Sequence, residues 1–124
     1  MFNEPNLDIA DEIFATDFVA HLPLAPELDR DAWKAYVASL RAGASNTTEQ
    51  VNQVIITEDR VILHVTYNGR HDGTLFGVPA TGNPILMNGI GIFRFNEEGL
   101  AVENWAVLDV AGVLAQIGAF PPAA

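Results

Sequence analysis

The stretch Arg60-Val61-Ile62-Leu63-His64-Val65-Thr66-Tyr67-Asn68 has apolar or aromatic residues at its odd-numbered positions from 61 to 67. Most of its even-numbered positions are polar. A side-chain period of two is typical of a β-strand that has one face on a core and the other toward water. We therefore predict a long strand over 60–75.

More strands are predicted on both sides of this one. The pair Glu58-Asp59 forms a turn before it, and 76–84, which is rich in glycine and proline, forms a long turn after it. The segment 96–99, Asn-Glu-Glu-Gly, predicts a hairpin connection. The other predicted strands are 48–57, 85–95 and 100–108.

Helical patterns occur in the first third of the chain and at its end. Asn6 is the expected N-cap of the first helix, and Asp29 that of the second, which Gly43 ends. Pro23 and Pro26 predict an extended or loop segment after the first helix. The predicted helices are 7–15, 30–42 and 110–117, and the extended or loop segment is 17–24.

The composition fits one globular domain that spans residues 1–124, and 49% of these residues are hydrophobic. Sixteen acidic residues stand against six basic ones, which gives a net charge of −10. This charge repels phosphate groups, so we expect neither nucleic acid nor a membrane as a partner. Cysteine is absent, which excludes disulfides and thiolate chemistry. The start of the chain shows no signal-peptide pattern, so a cytoplasmic location is expected.

Helices that precede a run of long antiparallel strands predict the α+β class, with the helices on one face of the sheet. A strongly curved sheet that is covered in this way encloses a pocket. The pattern of hydrophobic residues supports no finer conclusion.

Three groups of residues, in this order and spacing, make the chain resemble the SnoaL-like polyketide and ester cyclases, which have the nuclear-transport-factor-like cone fold. The resemblance extends from Phe2 to Gly118. It implies a cone-shaped, curved antiparallel sheet wrapped around helices, no cofactor, and a homodimer whose sheets pack face to face. The three groups are Gly69-Arg70-His71-Asp72-Gly73 with Leu75-Phe76-Gly77-Val78-Pro79-Ala80-Thr81-Gly82, then Arg94 with Val102-Glu103-Asn104-Trp105, then Asp109 with Leu114-Ala115-Gln116-Ile117-Gly118.

The sequence departs from the family pattern in two respects. The long helix with which family members begin is largely missing, so we expect a neighbouring subunit or a rearrangement to cover the apolar surface left bare. The acid/base aspartate of the aldol-type cyclases corresponds to Ala106, and their cavity histidine corresponds to Gly91. The resemblance therefore argues against a standard aldol cyclase.

His71 and Asp109 are the candidate catalytic residues. His71 is at an odd-numbered position, like the apolar residues of the predicted strand, so it should lie on the same face of the sheet. An imidazole pKa near 6.5 suits a general base. The alternative is a histidine that holds the turn at Gly73 by hydrogen bonding. Asp109 is either the N-cap of the last helix or a carboxylate at the cavity rim whose pKa apolar neighbours raise.

The candidate substrate-binding residues are aromatic, amide, imidazole and thioether side chains. Asn104 is two residues from Ala106, so both lie on the same face of the predicted strand, and its amide can hydrogen-bond to a substrate carbonyl. Glu103 lies on the opposite face, where it can pair with Arg94. His64 is assigned to the outer face of the sheet. The candidates are His21, Trp33, Tyr36, Tyr67, Met87 and Asn104.

Three functions are compatible with these residues. The leading one is a cofactor-free acid/base enzyme that isomerises, lactonises or cyclises a small, mostly apolar, polyketide-like molecule. The alternatives are a non-catalytic protein that binds an apolar small molecule, and a hydratase or epoxide hydrolase. The histidines lack metal-binding spacing, so no metal site is expected.

Overall fold

The computed structural model describes residues 7–119. Five strands form one sheet in the order β1-β5-β4-β3-β2, and three α-helices accompany it. None of the helices in this part of the chain has both the length and the hydropathy needed to cross a bilayer. After a 3-10 turn at Leu7–Ile9, the elements are α1 Ala10–Ile13, β1 Phe14–His21, α2 Arg30–Gly43, β2 Thr48–Ile56, β3 Arg60–Arg70, β4 Pro84–Phe95, β5 Ala101–Leu108 and α3 Val110–Gln116.

The predicted α+β class and cone-like arrangement are confirmed, but the sheet is mixed. Strands β2 to β5 pair antiparallel in chain order, as the alternation predicts. Strand β1 instead runs parallel to β5, with Ala20 opposite Asn104 and His21 opposite Trp105. Parallel pairing requires a long crossover, which the whole chain between β1 and β5 supplies.

The first helix is much shorter than predicted, because a strand takes over part of its expected range. Strand β1 begins at Phe14, which pairs with Ala101 and is buried with Phe18. The sequence pattern of 7–15 fits a helix locally, and the long-range pairing with β5 overrides it. The predicted cap, Asn6, lies outside the described residues.

Strand β3 ends at Arg70, five residues before the predicted end. The following loop closes on itself at His71, whose backbone N–H donates to the carbonyl of Asn83 and whose carbonyl accepts from Gly82. Gly73 donates to the carbonyl of Gly43 at the end of α2. A Cβ at position 73 would lie 2.0 Å from a carbonyl oxygen of α2, so only glycine permits this contact.

Helix α2 crosses one face of the sheet with its apolar side inward. Asp29 caps it, accepting from the backbone N–H of Ala32 at 2.8 Å, as predicted. Trp33 and Val37 are buried on its inner side, where Trp33 meets Phe14 edge-on with a ring separation of 4.9 Å. These contacts hold α2 over β1 and form one of two core clusters.

The second core cluster lies at the other end of the sheet, around Met87 and Val113. Strand β2 is an edge strand that has little cover on either face. Its residues Val51, Val54 and Ile56 are about half exposed or more, although they share the face of the sheet that packs against α2. Whether a second subunit covers them stays a prediction.

Candidate functional site

A cavity of about 280 Å³ lies between α2 and the inner face of the sheet. Its walls include Phe14, Trp33 and Val37 from the first core cluster and Met87 from the second. The cavity therefore separates the two clusters. Most of its lining side chains are apolar, and the polar groups among them are Tyr36, Glu49, Tyr67 and Asn104.

Small residues widen the middle of the cavity. Gly91 pairs with Leu63 on one side and with Ala106 on the other, and all three line the cavity. A Cβ at Gly91 would meet no atom closer than 3.7 Å, so the space over this glycine is open. Gly91 and Ala106 thus line the cavity without an ionisable side chain.

Glu49 and Tyr67 form a polar pair at the wall of the cavity. They are directly opposite each other on β2 and β3, and the Tyr67 phenol hydrogen-bonds to the Glu49 carboxylate. Burial raises the pKa of Tyr67, and the negative charge of Glu49 raises it further. Tyr67 therefore stays protonated at neutral pH and acts as a hydrogen-bond donor. Among the described residues that line the cavity, Glu49 is the one with a formal charge.

Asn104 and Tyr36 are held in fixed positions by backbone carbonyls. The Asn104 amide nitrogen donates to the carbonyl oxygen of Ile92 at 3.0 Å, and its residue is buried. The Tyr36 hydroxyl donates to the carbonyl oxygen of Pro23 at 3.1 Å. Because each donor is used in this way, the amide oxygen of Asn104 and the phenol oxygen of Tyr36 are left to accept hydrogen bonds.

The cavity brings together most of the residues that the sequence suggests for substrate binding. Trp33 and Tyr36 reach it from α2, Tyr67 from β3, Met87 from β4 and Asn104 from β5. The inner positions of the sheet and the apolar side of α2 therefore meet as the side-chain periods indicate.

His71 is not among the residues that line this cavity. It is fully buried, and its Nδ1 accepts from the backbone N–H of Thr81 at 3.2 Å and contacts the Thr81 hydroxyl at 2.8 Å. A nitrogen that accepts from an N–H carries no proton, so the proton is on Nε2, which donates to the carbonyl oxygen of Val78 at 3.1 Å. Both ring nitrogens are thus used to hold the loop after β3.

Asp109 and His21 lie beside the cavity, at a surface cleft. Asp109 caps α3 by accepting from the backbone N–H of Gly112 at 2.9 Å. His21 Nε2 lies 2.8 Å from the Glu103 carboxylate, which also accepts from Arg94. The hydrogen bond from His21 and then that from Arg94 lower the pKa of Glu103. The predicted pairing of Glu103 with Arg94 on the outer face is confirmed.

Sequence reasoning missed Glu49, and the reason is a bulge in β2. The register shifts between Val51 and Gln53, so the inner face passes from odd positions to even ones along the strand. No single alternation therefore marks Glu49 as an inner residue. The available signal is its place near the start of β2, opposite the predicted inner residue Tyr67.

A carboxylate and a neutral phenol, placed together in a largely apolar cavity, can remove a proton and hydrogen-bond to the resulting oxyanion. No group of three or more His, Asp or Glu side chains in 7–119 is arranged to hold a metal ion.

Comparison with solved structures gives the same fold. A candidate SnoaL-like polyketide cyclase from Jannaschia sp. CCS1 is 21% identical, with a TM-score of 0.87 over 97% of this chain and 83% of that one. IdmH, a candidate polyketide cyclase from Streptomyces antibioticus, is 31% identical, with a TM-score of 0.82 over 94% and 90% of the two chains. AclR, a candidate hydroxylase from Streptomyces galilaeus, is 23% identical, with a TM-score of 0.85 over 99% and 77%.

A search of curated protein sequences gives no match. The model of the SnoaL-like polyketide cyclases, in contrast, matches residues 1–117, which is nearly the whole chain. Together with the shared fold and the 31% identity to IdmH, this match shows that the chain belongs to the SnoaL-like polyketide cyclase family.

Proposed function

We propose that the protein is a cofactor-free acid/base enzyme that isomerises, lactonises or cyclises a small, mostly apolar, polyketide-like molecule in this cavity. The observation that carries the proposal is the Glu49 carboxylate, hydrogen-bonded to the Tyr67 phenol inside an otherwise largely apolar wall. Glu49 is half-buried at this wall, within hydrogen-bond reach of Tyr67, and a carboxylate in this position can serve as a general base toward a molecule in the cavity.

The proposed steps use only these side chains. Glu49 removes a proton from carbon next to a substrate carbonyl, or from a hydroxyl group that then attacks a carbonyl. Once Glu49 carries this proton, it no longer needs the hydrogen bond from Tyr67, and the single phenol O–H turns to the substrate oxygen on which negative charge develops. Glu49 then returns the proton to another atom of the substrate, or in a lactonisation to the oxygen that leaves the carbonyl as alcohol or water, and this restores the carboxylate. The Asn104 side chain and the ring of Trp33 position the substrate.

Two residues from the sequence-based hypothesis take other roles in this proposal. His71 holds the loop after β3, because both of its ring nitrogens have partners there. Asp109 caps α3 at the surface cleft. The family's aspartate position is Ala106, so the proposed base lies on β2 instead of β5.

The test uses deuterium exchange and isomerisation of apolar β,γ-unsaturated ketones, followed by NMR in deuterated water. Glu49→Gln keeps the shape of the side chain and removes the base, so it should lower kcat by about 10²–10⁴ with little change in KM. Tyr67→Phe should lower kcat by about 10²–10³, because one oxyanion donor is lost.

Glu58→Gln, in the turn after β2, is the matched control, since it makes the same charge change outside the cavity. It should leave kcat unchanged. Equal effects of Glu49→Gln and Glu58→Gln would contradict the assignment of Glu49.

A non-catalytic binding protein is the second candidate, favoured by the absence of ionisable side chains at Gly91 and Ala106. Capture of ligand from cell extract, followed by mass comparison, separates the two. An apolar compound that is recovered unaltered, together with no exchange in any ketone, would favour binding.

The proposal includes a homodimer in the cytoplasm. The outer face of the sheet exposes Ile55, Leu86, Ile90 and Val107, each 46% or more accessible. Their cross-strand partners point away from the cavity side, so the four side chains belong to one surface. An exposed apolar face of this kind on a protein with a charge of −10 is best covered by a second copy of itself.

A further inference from the structure

The cavity continues into a cleft at the surface of the molecule. The cleft lies between the loop 22–27, which follows β1, and the segment 106–111, which joins β5 to α3. Leu22, Ala106 and Leu108 line both the cavity and the cleft. Three side chains, one of them the small Ala106, are therefore shared between the inner space and the outer one.

The volume of the cavity points to a ligand that extends beyond it. At about 280 Å³ it lies just below the range of about 300–1,000 Å³ that is usual for small-molecule sites. The adjoining cleft offers a polyketide-like molecule that fills the cavity a place for a further group.

One apolar side chain at the cleft is unusually exposed. Leu24 is 80% exposed, the largest exposed fraction among the large apolar residues within 7–119. Leu24 also has a φ of 60°, a left-handed conformation that costs free energy for a residue with a Cβ. The strained backbone presents this leucine at the cleft, where a ligand would cover it.

The loop that carries Leu24 is fixed at both ends. Ala20 and Leu28 exchange two backbone hydrogen bonds of 2.8 and 3.0 Å at its base. The Tyr36 hydroxyl, itself at the cavity wall, donates to the carbonyl oxygen of Pro23 within the loop. The cleft is thus a formed surface that the cavity wall supports directly.

The ionisable groups of the cleft are Glu27, Asp109 and His21. His21 Nδ1 lies 3.6 Å from Glu27, and its Nε2 is engaged by Glu103. Ionised carboxylates accept hydrogen bonds and do not donate them. The cleft therefore suits a group that donates hydrogen bonds, and its two carboxylates repel an anion.

We propose that this cleft is the outer part of the substrate site and binds a hydrogen-bond-donating end group, a hydroxyl or an amine, of a substrate whose apolar body fills the cavity. A substrate that ends in a carboxylate is disfavoured. The proposal rests on the proposed function in one respect only, that an apolar molecule occupies the cavity.

The test compares three ligands with the same alkyl chain: decanol, decylamine and decanoate, each below its micelle concentration. Trp33 lines the cavity, and Trp105→Phe removes the other tryptophan, so Trp33 fluorescence reports binding. We expect decanol and decylamine to bind at least about tenfold more tightly than decanoate at low salt, a difference of about 1.4 kcal/mol.

A variant in which both cleft carboxylates are neutralised tests whether their charge determines which ligand binds. Glu27→Gln combined with Asp109→Asn should raise decanoate affinity and lower that of decylamine, and the amide oxygen introduced by Asp109→Asn still caps α3. Glu98→Gln is the control, because it lowers the negative charge at the hairpin on the opposite end of β5 from the cleft. It should change the ligand order little.

Ala106→Leu tests the connection between the two spaces. A larger side chain at the shared position should weaken all three ligands, while thermal unfolding verifies that the variant remains folded. Equal affinity for the three ligands, no binding of any of them, or unchanged affinity in Ala106→Leu would overturn the proposal. Turnover is measured separately. If the ligands bind in the expected order but Glu49→Gln has no effect on ketone exchange, the proposed catalytic role of Glu49 is rejected and the proposed role of the cleft is retained.

Discussion

At the scale of single residues, the ionisation of Tyr67 at the cavity wall makes the stability of the native state depend on pH. Burial and the neighbouring Glu49 raise the pKa of Tyr67, and burial raises that of Tyr36 as well. The unfolded chain ionises its tyrosines near pH 10, so the native state binds protons more tightly above that pH. Stability from Tyr67 is present below about pH 10 and is lost as the pH rises through the higher native pKa.

Tyr36→Phe leaves Tyr67 as the remaining tyrosine, since the chain has two. In this variant we expect tyrosinate absorbance to appear only together with alkaline unfolding, followed by circular dichroism. Glu49→Gln should lower the pKa of Tyr67 only in part, because burial is the larger cause. Tyrosinate formation near pH 10 in a folded protein would contradict this account.

His71 is expected to matter for stability more than for turnover. His71→Ala leaves a buried space and removes the partners of Thr81 and Val78, so it should lower the free energy of unfolding by about 2–4 kcal/mol. Thr81→Val removes the hydroxyl contacts with the His71 ring and with the backbone N–H of Asn83, and it should cost about 1–2 kcal/mol. Urea unfolding measures both. A large fall in kcat with an unchanged free energy of unfolding would instead support a catalytic role for His71.

The residues of the site illustrate what a sequence pattern can predict. Tyr67 and Asn104 follow from alternation within regular strands, where every second side chain faces the same side. Glu49 does not, because the bulge at 51–53 changes the parity of β2. The position of His71 cannot be predicted in this way either, because β3 ends one residue before it and side chains beyond the strand no longer alternate between the two faces. Regular stretches are thus predictable, and irregular ones depend on contacts from elsewhere in the fold.

At the scale of elements, β1, β4 and β5 are joined on their outer face by Glu103. It accepts hydrogen bonds from His21 on β1 and from Arg94 on β4, and these bonds lower its pKa. For a carboxylate whose native pKa is lowered, the stabilisation is present above the unfolded pKa of about 4.3. It is lost as the pH falls through the lower native pKa.

Glu103→Gln should therefore lose less stability than the wild type on acidification from about pH 5 to pH 3. The measurement is the free energy of unfolding from urea titrations at several pH values in this range. Glu98→Gln, in the hairpin before β5, should behave like the wild type. Parallel curves for Glu103→Gln and wild type would show that Glu103 does not link the strands in this way.

The element boundaries show the same division between local and distant causes. Strands β2, β4 and β5 begin and end within a residue of their predicted positions, because alternation and turn residues are local signals. The start of β1 at Phe14, inside the range predicted for the first helix, depends on pairing with Ala101, more than eighty residues along the chain. Such pairing leaves no trace in a short window of sequence.

At the scale of the whole molecule, the sheet has two faces with different tasks. Its inner face and α2 enclose the cavity, and the outer face presents Ile55, Leu86, Ile90 and Val107 to the surroundings. Sequence alternation predicts that such faces exist, but not that the outer one remains uncovered within one chain. The net charge of −10 opposes association wherever unpaired carboxylates meet. The outer face carries these four exposed apolar side chains, and its Glu103 is paired with Arg94, so we propose it as the surface through which two copies approach.

Adjacent isoleucines of β2 allow a matched test of the proposed dimer. Ile55 points outward opposite Ile62, whereas Ile56 pairs with Val61, which lines the cavity. Both are more than half exposed, so neither substitution disturbs a packed core.

In sedimentation experiments the wild type should be a dimer at micromolar concentration. Ile55→Asp places a carboxylate twice in a twofold interface and should weaken association about a hundredfold or more, whereas Ile56→Asp should not. A monomeric wild type, or equal effects of the two variants, would reject the outer face as the dimer interface.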